Sequence, residues 1–320
     1  METSSSSQGK KLLELKELRK EYGSLTAVNG VSFTLQPGDV CGFIGSNGAG
    51  KTTTIRMLAT LLEPTSGTAT LNGVDILEDP MGIRRMIGYM PDFFGLYDDV
   101  KVWEYLDFFA TIYAVPKKDR GEVIDNVLEL TDLTVKRDAM VQSLSRGMQQ
   151  RLCLARCLVH DPALLLLDEP ASGLDPRARA ELKELITELG RMGKIVIVSS
   201  HILPELAGFC NTVGIIERGQ LLAFGPVDRV VQGLHSARVL KVKLIAGADE
   251  AARVARDCPG VLQAESFRDV ELQIEFGGTY DEQADFLKAL VDKGARILTF
   301  NEQQANLEDV FLKLTTGAVQ

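Results

Sequence analysis

The sequence predicts a two-domain α/β protein. A largely parallel α/β core carries a β-rich N-terminal subdomain and an α-helical subdomain, and a small C-terminal α+β domain of ferredoxin-like order completes the chain. Three observations lead there. Apolar runs of strand length, VCGFI (40–44), ALLLL (163–167) and IVIV (195–198), alternate with helical stretches, as buried parallel strands and their crossovers do. Helical three-to-four spacing of apolar residues fills the stretch from Trp103 to His160. Near Gly233 to Ala237 the composition changes, and the residues beyond read strand, helix, two strands, helix, strand, the βαββαβ order. With 320 residues, 45% of them hydrophobic, the chain is long enough for about two domains with buried cores.

The lead METSSSSQGK (1–10) has no apolar h-region, so it is expected to be disordered rather than secretory, which points to the cytoplasm. Residues 12–35 alternate strand-like runs around the turn Tyr22-Gly23-Ser24. Gln36-Pro37-Gly38-Asp39 then turns tightly into VCGFI. WEYLDFFATIYAV (103–115), GEVIDNVLELTDL (121–133) and MQQRLCLARCLV (148–159) make the helical subdomain, at about 92–160. ALLLLDE, ARAELKELITELGRMG, KIVIVSSH, LPELAGFC and TVGIIERGQLLAFG complete the first domain, 11–232. The accessory domain, 238–320, runs from RVLKVKLI to RILTF. It ends in ANLEDVFLKLTTG, a helical run capped by Asn306 with Leu307, Val310, Phe311 and Leu314 on one side.

The net charge of −9 and pI near 5.1 argue against nucleic acid as a partner, because phosphate-backbone binding needs clustered Lys and Arg. No stretch approaches eighteen apolar residues, so the sequence predicts no membrane span. Five cysteines (41, 153, 157, 210, 258) show no ligand pattern and read as buried reduced thiols.

The chemistry begins at Gly45-Ser46-Asn47-Gly48-Ala49-Gly50-Lys51-Thr52, after an apolar strand and before a helix. Glycines at 45, 48 and 50 let the backbone curl with N–H groups inward, and the helix adds its positive end, so a triphosphate is held largely by main chain. Lys51 would reach the β- and γ-phosphates of a nucleoside triphosphate, Thr52 would offer a hydroxyl to Mg²⁺, and Thr53 is placed for a neighbouring phosphate oxygen. This is the setting of a P-loop NTPase. LLLLDEP (164–170) is a buried strand ending in two carboxylates, which is costly unless they meet a cation or a proton-transfer task. Asp168 would hold Mg²⁺ through water, and Glu169 would orient or deprotonate the attacking water. His201 ends KIVIVSS, where open α/β sheets place their ligands, and an imidazole N–H there suits a γ-phosphate. Leu144 to Gln150 opens a helix with Ser145 as its cap, a terminus able to take phosphate but equally an ordinary helix start. His160 and His235 are given no role.

In this order the segments resemble the nucleotide-binding subunit of ATP-binding cassette (ABC) transporters, over about residues 10–230. The resemblance makes the core an ABC ATPase fold, Gly45 to Thr52 its Walker A loop, LSRGMQQ its signature, Leu164 to Glu169 its Walker B, Ser172-Gly173-Leu174-Asp175 its D-loop and His201 its switch histidine. It implies that Tyr22 stacks on adenine, whereas the residue alone reads as core. It further implies a head-to-tail pair of such subunits, a homodimer or a heterodimer. Ser145, Gly147 and Met148 would then touch ATP bound by the opposite subunit, with Asp175 crossing beside that subunit's Walker A loop.

Three residues depart from the family motifs. The signature reads LSRGM where LSGGQ is usual, as in ABC-2 type exporters, so that Arg146 replaces a glycine and Met148 a glutamine. Tyr89-Met90-Pro91-Asp92 carries Asp92 where the family has Gln; a carboxylate only accepts hydrogen bonds, though it can still serve Mg²⁺ through water. Phe93, Phe94, Leu96 and Tyr97 lie where the family receives the coupling helix of its membrane partner, and read as that contact rather than as core. The C-terminal region resembles the accessory domain of drug, lipid or polysaccharide exporter ATPases. The resemblance thus implies an ATPase on the cytoplasmic membrane face driving an ABC-2 type permease. The alternative is a soluble cassette ATPase serving assembly or regulation without a permease. DNA-repair ATPases of the same head fold are excluded, since no heptad array separates Thr52 from Ser145.

Overall fold

The structure is a computed structural model and describes residues 12–303, apart from 94, 98, 203–205, 207 and 235–237. The lead, Phe94, His235, the closing run at 305–317 and part of LPELAGFC lie outside the described residues. The chain separates into two compact units, Met1–Val227 and Asp228–Gln320.

In the first unit, β1 (Leu13–Tyr22) and β2 (Leu25–Leu35) form the expected hairpin, and β3 (Val40–Ile44) leads through the glycine-rich loop into α1 (Lys51–Leu58). β4 (Ser66–Leu71) and β5 (Val74–Asp75) then extend the hairpin into a four-stranded antiparallel sheet, β2-β1-β4-β5. The sequence reading missed this second hairpin. Its signal is there: Asn72-Gly73 sits between Leu71 and Val74, with φ 53° and 82°, the paired left-handed residues of a type I′ turn. α2 (Pro80–Met86), capped by the Asp79 carboxylate, delivers β6 (Ile87–Met90).

The helical subdomain comprises α3 (Val102–Ile112), α4 (Arg120–Leu130) and α5 (Arg146–Leu158), the last capped by Ser145, whose hydroxyl accepts from Met148 N. The core then resumes with β7 (Leu164–Leu167), α6 (Pro176–Arg191), β8 (Ile195–Ser200), β9 (Thr212–Glu217) and β10 (Gln220–Pro226). Its sheet runs β10-β9-β3-β8-β7-β6. The pairs from β9 to β6 are parallel and β10 is an antiparallel edge. β3, β7 and β8 are buried on both faces, which is why they read as unbroken apolar runs. Leu13, Leu15 and Leu18 of β1 and Val28, Val31 and Leu35 of β2 pack with Ile55, Met57 and Leu58 of α1 and with Cys41 and Phe43 of β3, fixing the N-terminal sheet over the loop's own helix.

α7 (Val227–Leu234) leads into the second unit, where β11 (Arg238–Leu244), α8 (Ala248–Arg256), β12 (Val261–Phe267), β13 (Glu271–Phe276), α9 (Tyr280–Asp292) and β14 (Ile297–Gln303) give the expected βαββαβ order. The sheet is antiparallel, β12-β13-β11-β14. Ala251, Ala252 and Ala255 of α8 and Phe286 and Leu290 of α9 pack with Leu240, Val242, Leu272, Ile274 and Phe276, so both helices cover one face.

Cys41, Cys153 and Cys157 are buried and all five thiols are free; burial pushes Cys153 up to about 12. His160 has a structural task. Its ring stacks on Tyr113 at 3.7 Å, its Nε2 meets the Ile87 carbonyl at 2.9 Å, and its buried Nδ1 has no partner among the described residues. Burial holds the imidazole below its ordinary value of 6.5, with Lys194 acting the same way and the Ile87 carbonyl and Asp161 opposing. The unfolded chain therefore takes up this proton first as pH falls through 6.5, and the stability present at neutral pH is lost until the folded ring protonates. The urea midpoint is expected to fall between about pH 7 and about pH 5, and less so in His160→Phe, which keeps a ring on Tyr113 and titrates nothing.

Candidate active site

Four adjacent parallel strands, β3, β8, β7 and β6, end on the same side of the sheet, and each releases one part of the site at its carboxyl end. β3 gives the Gly45–Thr52 loop, β7 gives Asp168 and Glu169, β8 gives His201 and β6 gives Asp92. A cavity of about 350 Å³ is lined by Ala27, Asn47, Gly48, Gly50, Lys51, Thr52, Thr53, Asp92, Glu169, Ser172 and His201.

Local chemistry fixes the loop. Gly50 has φ 110°, and a Cβ there would sit 2.6 Å from the Ala27 carbonyl; a Cβ at Gly45 would sit 2.3 Å from the Ile216 carbonyl. No larger residue fits either place. The Ser46 hydroxyl donates to the Glu217 carboxylate at 2.9 Å, anchoring the loop to β9. Lys51 is buried, and its Nζ donates to the carbonyls of Gly45 at 2.8 Å and Ser46 at 3.1 Å and lies 3.7 Å from Glu169 Oε1. Burial pushes its ammonium below the ordinary lysine value, while Glu169 and Asp168 pull it back up.

Asp168 is fully buried. Its Oδ1 accepts from Ser199 Oγ at 2.6 Å and from Thr52 Oγ1 at 3.2 Å, while its Oδ2 has no partner among the described residues. An unpartnered buried carboxylate oxygen beside a hydroxyl is the donor set of a hard divalent cation, so the residues present fit one. Glu169 has φ 50°, a left-handed backbone that costs a non-glycine residue about 1 kcal/mol or more. Its N–H donates to Ser199 Oγ at 2.9 Å, which holds the twist, and its Oε2 meets His201 Nδ1 at 3.0 Å. Ser199 therefore orders both carboxylate residues. The sequence reading passed over it, although a hydroxyl residue closing an apolar strand is a visible signal.

The structure does not bring every expected residue to this cavity. Tyr22 is 50% exposed, with Lys20 Nζ 5.3 Å from its ring centroid, so it is not the core tyrosine that the residue alone suggested. Ser145, Gly147, Met148 and Asp175 do not line the cavity. They sit at two neighbouring helix starts: Ser145 caps α5, Asp175 caps α6 by accepting from Arg177 N and Ala178 N, and a Cβ on Gly147 would come within 2.9 Å of Ala178 Cβ. Phe93 is 81% exposed, Leu96 is half-buried, and Tyr97 packs edge-on against Phe108 at 5.8 Å. A separate apolar groove of about 380 Å³ is lined by Leu61, Met81, Tyr89, Phe109, Ile112 and Tyr113, among others; sequence reasoning missed it because its walls come from several different elements.

Comparison with known proteins decides the family. The ABC transporter profile matches residues 28–172. A Nod factor export ATP-binding protein I from Burkholderia lata is 35% identical over 309 residues, 96% of this chain and 98% of that one. The chain belongs to the ABC transporter family. The linearmycin resistance ATP-binding protein LnrL of Bacillus subtilis is 30% identical over 306 residues, covering 95% of this chain and 98% of its own. A solved ATP-binding subunit of an ABC transporter matches with a TM-score of 0.63 at 30% identity, over 69% of this chain and 92% of that one. This ABC subunit binds ATP and is an ATPase.

Proposed function

We propose that this subunit drives export through a separate ABC-2 type membrane permease, by closing on MgATP as a head-to-tail dimer at the cytoplasmic membrane face. The observation that carries the ATPase half is the meeting of Lys51, Thr52, Asp168, Glu169 and His201 at the carboxyl ends of three adjacent strands. The permease half is supported by the two relatives named above.

In this reading the inward N–H groups of Gly48 to Thr52 and the Lys51 ammonium bind the β- and γ-phosphates, and Tyr22 stacks on adenine. Thr52 and Asp168 would hold Mg²⁺, and Asp92 would serve it through water; when bound, the ion would supply neutralisation of the phosphate charge. Glu169 orients or deprotonates the attacking water, and His201, oriented by Glu169, presents a ring nitrogen to the γ-phosphate. The γ-phosphate would also meet Ser145, Gly147 and Met148 of a second subunit, with Asp175 beside it, so its loss would open the dimer. Phe93, Leu96, Tyr97 and the groove at Leu61, Met81 and Ile112 are the surfaces for the permease.

The experiment is MgATP-dependent dimerisation of Glu169→Gln, measured by sedimentation: a dimer with MgATP and a monomer with MgADP are expected, and a species unchanged by nucleotide would contradict the reading. Asp92 tests the metal side. It lies on the cavity wall, and its carboxylate accepts from Phe93 N at 3.0 Å. Asp92→Gln removes a negative charge facing the γ-phosphate and is expected to raise kcat by roughly two- to fivefold. An unchanged kcat would show that the substitution is neutral.

A further inference from the structure

Arg146, the residue that departs from the usual signature glycine, makes a specific contact. Its Nη2 donates to the Ser172 carbonyl at 3.3 Å. The guanidinium lies flat against Gly173: a Cβ on that residue would stand 2.5 Å from Nη2, 2.6 Å from Cζ and 2.8 Å from Nη1. Gly173 has φ 68°, so the loop is shaped for glycine both by its backbone and by the arginine above it. One helical turn on, at the i+4 position and on the same face of α5, the buried Gln150 donates its Nε2 to the Pro170 carbonyl. The signature helix thus grips the loop after β7 at two carbonyls, those of Pro170 and Ser172.

The gripped loop begins at the catalytic carboxylate. Ser172 N donates to the Glu169 carbonyl at 3.1 Å, closing a turn from Glu169 to Ser172. Residue 169 is the strained one, at φ 50°, with its carboxylate on Lys51 and His201. A cation in the first turn of a helix opposes the helix dipole, and no acidic residue of that turn offsets Arg146. The helix dipole therefore gives no reason for a cation there, whereas the bond to Ser172 does.

We propose that Arg146 is a positioning residue that ties the phosphate-binding end of the signature helix to the Glu169–Ser172 turn. Through it, ATP held by the partner at Ser145 and Gly147 is sensed at this subunit's own Glu169. The proposal rests on the dimer reading above and adds a route between its two ATP sites. A glycine at 146, as in the usual signature, has no donor for this route. Binding energy at one site then reaches the other only through the backbone.

The test is steady-state ATPase of Arg146→Ala, Arg146→Lys, Gly173→Ala and the double variant Arg146→Ala/Gly173→Ala, with fluorescent-nucleotide binding as a parallel readout. Arg146→Ala is expected to keep ATP binding to the isolated subunit within about twofold, to lose about five- to tenfold in kcat, and to bring the Hill coefficient for ATP down towards about 1, the size of a modest site-to-site coupling. Arg146→Lys, which still offers a donor, should recover part of both. Gly173→Ala should be impaired, and removing the guanidinium in the double variant should relieve part of that impairment. Wild-type kcat and Hill coefficient in Arg146→Ala, or a double variant no better than Gly173→Ala, would overturn the proposal. Sedimentation of Glu169→Gln separates the two levels. If that variant does not dimerise with MgATP, the dimer reading falls; if it does while Arg146→Ala behaves as wild type, only the positioning role falls.

Discussion

Glu169→Gln is expected to lower kcat by about 10²- to 10⁴-fold, the usual worth of a positioned general base, while leaving ATP affinity within about twofold. The amide keeps the side chain's shape, and the features that hold residue 169 in place are main-chain ones: the left-handed φ of 50° and the N–H bond to Ser199 Oγ. What is lost is the negative charge between Lys51 and His201. Single-turnover hydrolysis beside equilibrium ATP binding checks the split. Normal turnover would remove Glu169 from the chemistry, and a large loss of affinity would mean that the side chain builds the pocket rather than the reaction.

Lys51→Ala should act on the other side of that split. Its ammonium has two tasks, closing the loop on the Gly45 and Ser46 carbonyls and facing the two Walker B carboxylates. Charge-assisted hydrogen bonds to phosphate are worth about 1.5–3 kcal/mol, so ATP affinity should fall by roughly 10- to 100-fold. Alanine also leaves the buried Asp168 and the adjacent Glu169 without the Lys51 cation, so the nucleotide-free protein should unfold at a lower temperature, and the loss should be larger when MgATP is present because the weaker-binding variant gains less from the ligand. Calorimetric ATP binding and thermal unfolding with and without MgATP measure both effects. Retained affinity would assign the triphosphate to main-chain groups alone.

Much of this was legible in the sequence because the signals were local. A loop needing glycine at 45 and 50 sat between an apolar strand and a helix, carboxylates closed a buried strand at 168 and 169, and a serine preceded a helix at 145. The βαββαβ order of the second unit could be read from alternation alone. What escaped depends on neighbours far away in the chain. Ser199 looks like any hydroxyl at a strand end until β8 lies beside β7 and its oxygen falls between Asp168 and the Glu169 N–H. The groove at Leu61, Met81 and Ile112 exists only once the segments around α1, α2 and α3 are packed together. The hairpin at Asn72-Gly73 was missed for another reason: its flanking strands are short, and β5 spans only Val74–Asp75. Arg146 read as a departure from a pattern, and only the structure gives it the Ser172 carbonyl.

The central claim is that each ATP site is completed by a second subunit, and mixing two inactive variants tests it most directly. Lys51→Ala lacks a nucleotide grip, and Ser145→Arg blocks the signature face. In a head-to-tail heterodimer of the two, one site carries both defects and the other carries neither. Random mixing should then restore activity from two inactive preparations, up to a ceiling of about a quarter of wild-type ATPase set by two-fold symmetry and below it to the extent that the intact site depends on ATP at the defective one. A mixture as inactive as its parts would contradict the composite site.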